Sequence, residues 1–149
     1  MSAYPDCTGQ LRAGLTGREV PTYSADMTIT HVQLLSVPVT DQDRARDFYV
    51  DTLGFTLVRD SPMGEQRWVQ VAPKGADTGI TLVTDFPTMP PGSLKGLVLE
   101  TDDLDGDVAR MTGLGVPIDG GVQEAPWGRF VTLHDPDGNG LILQATARG

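Results

Sequence analysis

A chain of 149 residues can bury one sizeable core but is short for two independent domains. Its 39% hydrophobic and 21% charged residues are ordinary for a globular protein, and no apolar run approaches the ~20 residues that a membrane-spanning helix needs. A formal net charge of −9 argues against a nucleic-acid backbone as partner, and a single cysteine, Cys7, excludes an internal disulfide. That lone thiol and the lack of an apolar signal-peptide core at the N-terminus lead to the expectation of a cytoplasmic protein.

Residues 1–27 scatter glycine, proline and polar residues without a period, so they are expected to form a poorly ordered extension to one domain spanning 28–147. β-Branched and aliphatic residues dominate from Thr30 to Val39 and predict a strand, with Pro38 placing it near an edge or a strand end. Thr40 is expected to cap a helix with Asp43 as the reciprocal carboxylate. Ala45, Phe48, Tyr49 and Leu53 follow at helical spacing, and Gly54 stops the helix. Strands are predicted at Phe55–Val58, 67–72 and 79–84, with a turn at Pro62-Met63-Gly64. This completes a first βαβββ module at about 29–85.

A proline-rich linker, 86–93, precedes a second module at about 94–146 that repeats the first. Leu94–Thr101 is a strand, and Asp102-Asp103 opens a helix with Leu104, Val108 and Met111 on one face. Leu114-Gly115-Val116 stands where Leu53-Gly54-Phe55 stood. Arg67-Trp68-Val69-Gln70 aligns with Arg129-Phe130-Val131-Thr132, and Thr81 with Ile142. His134-Asp135-Pro136-Asp137-Gly138-Asn139-Gly140 is a turn between strands, since proline presets one φ, glycine permits a positive one and Asp and Asn bond back to the backbone. The predicted class is α+β: two tandem βαβββ modules whose sheets curl around a cavity while the helices cover the outer faces.

Val39-Thr40-Asp41, Phe48-Tyr49, Leu53-Gly54-Phe55, Leu97 to Leu104 and Asp135-Pro136-Asp137-Gly138-Asn139, in that order and spacing, resemble the vicinal oxygen chelate superfamily. That superfamily includes glyoxalase I, bleomycin resistance proteins, fosfomycin resistance enzymes and extradiol dioxygenases. The resemblance covers about residues 29–145. It implies a divalent metal held by His, Glu or Gln from the first and last strands of each module, where a Lewis acid would stabilise charge on two adjacent substrate oxygens. The corresponding positions here are Leu34, Thr81, Gly96 and Ile142, so no metal is expected; a divalent metal is the alternative. It also implies a homodimer that pairs modules across a two-fold axis, with the cavity inside one chain or between two.

If Leu34 faces the cavity, alternation brings Ser36 with it, and the facing strands add Thr81, Val98, Glu100, Ile142 and Gln144. Trp68 and Trp127 are candidate stacking surfaces, with core packing as the plainer role for Trp68. Arg67 and Arg129 occupy equivalent positions and are expected either to bind an anion or to pair with neighbouring carboxylates. Glu100 is the one candidate base. His31 falls on the wrong face of a regular strand, and His134 reads as a hydrogen-bonding rim residue. Three functions stand: a metal-free binder of a small organic molecule, which an acidic chain with two tryptophans would accept as a cationic aromatic; a glyoxalase-like lyase, isomerase or dioxygenase with non-standard residues; or a structural or regulatory partner protein with a collapsed cavity.

Overall fold

The computed structural model describes residues 27–147. The predicted N-terminal extension lies outside the described residues except for Met27, and 27–31 carry no helix or strand. From Val32 the chain forms one compact unit. It runs β1 (Leu34–Pro38), α1 (Gln42–Asp47), β2 (Thr56–Met63), β3 (Gln66–Ala72), β4 (Gly79–Val83), β5 (Leu97–Glu100), α2 (Leu104–Gly113), β6 (Ile118–Ala125), β7 (Gly128–His134) and β8 (Gly140–Thr146). Both βαβββ modules are present. Sheet 1 has the order β1-β4-β3-β2 and sheet 2 the order β5-β8-β7-β6, each with one parallel pair and two antiparallel pairs.

Several boundaries differ from expectation for local reasons. The first strand starts at Leu34, which leaves His31 ahead of it, bonded through Nδ1 to the neighbouring Thr30 hydroxyl at 2.8 Å. Pro38 ends β1, an edge strand, where its missing N–H costs nothing. Pro62 lies within β2 instead of in a turn, which an edge strand also tolerates; the reversal falls on Gly64 with φ 64°. The cap of α1 is Asp41, whose carboxylate accepts from the amides of Asp43 and Arg44, not Thr40. The helix then widens into a π-helical turn at Phe48–Thr52, closed by Leu53 N–H to Phe48 O, and Gly54 at φ 80° ends it.

Asp103 caps α2 by accepting from the Gly106 amide at 3.0 Å. A Cβ on Gly106 would run into the Asp103 carboxylate, so the glycine that weakens the helix also makes room for its cap.

Each sheet has one face covered by its helix. In sheet 1 that face carries Val37, Val69, Val71, Ile80 and Leu82 against Ala45 and Tyr49; in sheet 2 it carries Val131, Leu133, Leu141 and Leu143 against Leu104 and Met111. All belong to one core cluster, and each fully buried aliphatic side chain contributes about 1.5–3 kcal/mol.

The modules are tied by the turn that the sequence singled out. Asp135, 5% exposed, accepts from the Tyr49 hydroxyl at 2.9 Å, from the Asn139 side-chain amide at 2.8 Å, and from the backbone amides of Asp137 and Asn139 at 2.9 Å each. Asn139, fully buried, also donates to Pro38 O at 2.8 Å and accepts from Leu94 N–H. Thr40, displaced from the helix cap, instead donates to Asp137 through both its amide and its hydroxyl. Burial and the Asp135 charge push the Tyr49 hydroxyl well above its ordinary pKa, so it remains a donor throughout the accessible pH range.

On the outer face of module 1, Arg67 donates to both oxygens of Asp60 at 2.8 Å and also pairs with Asp43, while Arg46 reaches Asp60 at 3.0 Å. These two guanidinium groups hold the Asp60 carboxyl at about 2. A carboxyl depressed on folding stabilises the native state above its unfolded pKa, near 3.9, and that contribution disappears as pH falls through the folded value. Urea unfolding of the wild type and Asp60→Asn should therefore show a stability gap at pH 6 that closes between about pH 4 and pH 2 and narrows in high salt. A gap unchanged at pH 2 would contradict this origin.

Candidate functional site

Among the described residues, the other face of each sheet bears no helix. In sheet 1, alternation puts Leu34 and Ser36 on this open face, and the register Ser36↔Thr81↔Gln70 carries it across to β3, where Trp68 follows Gln70. The Ser36 and Thr81 hydroxyls are hydrogen-bonded at 3.3 Å. Trp68 Nε1 donates to Gln70 Oε1 at 3.0 Å, which anchors the half-buried indole to its neighbour on the same face. Arg59 and Ser61 complete the face opposite Gln70 and Trp68. The Arg59 guanidinium lies 5.8 Å from the Trp68 ring centroid, and its Nε donates to Ser61 Oγ at 2.8 Å.

Arg59 was missed by the sequence reading because of a bulge. Leu57 pairs with Val71 on the helix face, but the next partners are Arg59 and Gln70. Val58 is the extra residue, and it turns Arg59 to the open side where strict alternation would have kept it with Leu57.

In sheet 2 the open face carries Val98 and Glu100 on β5, Ile142 and Gln144 on β8, and Phe130 and Thr132 on β7. Trp127, exposed in the β6–β7 turn, stacks on Phe130 with centroids 5.2 Å apart and an interplanar angle of 26°. The Glu100 carboxylate accepts from the Thr146 amide at 2.9 Å, the Thr146 hydroxyl at 2.7 Å and the Gln144 amide at 3.3 Å. It ties the edge strand β5 to the end of β8. Gly96 precedes β5 with φ 81° and so lies outside the sheet. Arg129 stands on the helix side with Asp105 at 2.9 Å and Glu124 at 3.3 Å, matching the Arg67–Asp43 pair of module 1. Of the two expected roles, the geometry gives Arg129 the carboxylate pair. His134 approaches Asp119 at 3.4 Å.

A cavity of about 630 Å³ opens between the edge strands β1 and β5, lined mainly by Leu35, Phe55, Ile80, Leu97, Leu99 and Leu143 with Lys74 and Glu100 at its polar parts. Of the residues predicted to bind a ligand, only Val98 and Glu100 border it. Leu34, Ser36, Trp68 and Thr81 face away from it on sheet 1, and Trp127 and Ile142 are not among its lining. Leu34, Thr81, Gly96 and Ile142, the four positions expected to converge, all lie outside the lining of this cavity.

The family model described as Glyoxalase/Bleomycin resistance protein/Dioxygenase superfamily matches residues 28–143. The chain belongs to this superfamily. Its fold is shared with TnmS3, described as an antibiotic binding protein from Streptomyces sp. CB03234, at 57% identity and a TM-score of 0.79, covering 81% of this chain and 99% of that one. A member of the same superfamily from Sphaerobacter thermophilus is similar at 35% identity and a TM-score of 0.71, over 78% of this chain and 98% of that one. Protein YetH of Bacillus subtilis (strain 168) is 34% identical over 118 residues, 78% of this chain and 98% of the relative.

At the positions where the superfamily resemblance implies metal ligands, this member offers an aliphatic chain at Leu34 and Ile142, a hydroxyl at Thr81 that is engaged with Ser36, and no side chain at Gly96. Among the described residues no group of three or more His, Cys, Asp or Glu side chains is clustered so as to hold a metal ion. This donor set does not fit a divalent cation. No helix among the described residues is long and apolar enough to cross a membrane.

Proposed function

We propose that this superfamily member binds a small organic molecule with a planar aromatic part, holds it without a metal ion and does not transform it. The observation that carries the reading is the pair of aromatic surfaces on the open faces, set among apolar, hydroxyl and amide groups: Trp68 on sheet 1 and Phe130 with Trp127 on sheet 2. TnmS3 is described as an antibiotic binding protein, which supports a small organic ligand here. Glu100, with both carboxylate oxygens engaged by the end of β8, is read as a brace for β5 and not as a base.

The ligand site is proposed to form between two copies of the chain. Among the described residues, β1 and β5 are end strands with one unpaired edge each, a state that folded proteins usually cover. Setting β1 of one chain beside β5 of another would bring the open face of sheet 1 across from the open face of the partner's sheet 2. A homodimer, working in the cytoplasm, is therefore part of the proposal.

Thermal melting against a panel of aromatic antibiotics and metabolites, and separately against zinc, manganese, nickel and ferrous ions, tests the reading. A ligand at about 100 times its Kd should stabilise by about 2.7 kcal/mol, a shift of several degrees, while the metals leave the melting temperature unchanged. A metal-induced shift that a chelator reverses, or no shift from any organic compound, would contradict it.

A further inference from the structure

The acidity of the whole chain favours a cation, but the charge on the open face of sheet 1 is local and positive. Arg44, Arg46, Arg67 and Arg129 are each paired with a carboxylate. Arg59 is not: its Nε is held by Ser61, its guanidinium lies over Trp68, and among the described residues its two Nη groups have no acceptor. The neighbouring acid on its own strand, Asp60, points to the other face and is occupied by Arg46 and Arg67. A guanidinium braced at one nitrogen beside an indole keeps its fork pre-organised, and the Arg59 side chain is exposed.

Resting on the small-molecule reading above, we infer that Arg59 is a specificity-determining residue of this site and that the ligand carries an anionic oxygen, a carboxylate or an ionised phenol or enol, on the ring system that packs beside Trp68. The indole supplies the flat apolar surface and Arg59 the charge at its rim. A cationic ring packed there would instead meet a like charge at the rim of the indole. The bulge at Val58 is what creates this arrangement, since without it the guanidinium would lie on the helix side.

The test uses three probes that share one ring: 2-naphthoate, the neutral 2-naphthamide and the cation 2-naphthylmethylammonium. Binding to the full-length protein is followed at pH 7 by tryptophan fluorescence at low and moderate salt. The carboxylate should bind about tenfold more tightly than the carboxamide, and the cation more weakly than either. Arg59→Gln should bring the carboxylate down to about the affinity of the carboxamide while weakening the carboxamide much less, and Arg59→Lys should keep part of the preference. Arg59 is exposed, so both variants should melt with the wild type. Equal affinity for all three probes, preference for the cation, or a preference that survives Arg59→Gln overturns the inference and leaves the binding reading intact. If no probe binds but the wider panel does shift melting, the inference alone falls; if nothing in either set binds, both fall.

Discussion

Replacing Asp135 by alanine should destabilise the protein by about 3–4 kcal/mol, because the Tyr49 hydroxyl and the Asn139 amide would be left buried without their acceptor. For a unit of this size the loss corresponds to a fall in Tm of roughly 10–20 °C. Tyr49→Phe removes one donor and leaves the carboxylate three others, so it should cost only about 1–2 kcal/mol. In the double variant Tyr49→Phe with Asp135→Ala the costs should be less than additive, since the phenol left unpaired by the second change is already gone. The effect reaches beyond one turn. Asn139 holds Pro38 O at the end of β1 and Leu94 N–H before β5, so the same network positions both edge strands. A measured loss under about 1 kcal/mol for Asp135→Ala would mean that water replaces the missing oxygen.

The repeat was legible because it is written in local chemistry. The capped helices, the glycine stops after Leu53 and Leu114, and the turn at Asp135 to Asn139 all depend on residues close in sequence, and their offset survives into space. Asp43 meets Arg67 and Asp105 meets Arg129, the same contact 62 residues apart. What was not legible depends on distant partners. Thr40 and Asp41 can both cap a helix; the choice is made by Asp137, which takes the threonine hydroxyl from 97 residues away. The open faces were half legible. Ser36 and Thr81 follow from alternation, whereas Trp68, for which core packing is the plainer expectation, stands on the open face; Arg59 was hidden by a bulge that no residue pattern announces, and Arg129 lies on the face that alternation from Phe130 assigns to the helix. Gly96, placed by counting from Asp103, has a positive φ and lies ahead of the strand.

The central claim is that one binding site is built from two chains, and it can be tested without knowing the natural ligand. Trp68→Ala removes the aromatic surface of sheet 1, and Ile142→Arg fills the open face of sheet 2. Each variant alone should lose nearly all binding of the strongest compound in the panel, because every site in its dimer carries one damaged face. Mixed and allowed to exchange subunits, the two should recover about one quarter of the wild-type number of sites, at wild-type affinity: half the dimers are mixed, and one of their two sites pairs two intact faces. The same sample should scatter as a dimer of the 15.9 kDa chain. The decisive measurement is a stoichiometric titration of that mixture. Recovery near one quarter is the result predicted here; no recovery from two well-folded variants, or full binding by a monomer, would contradict a site shared between chains.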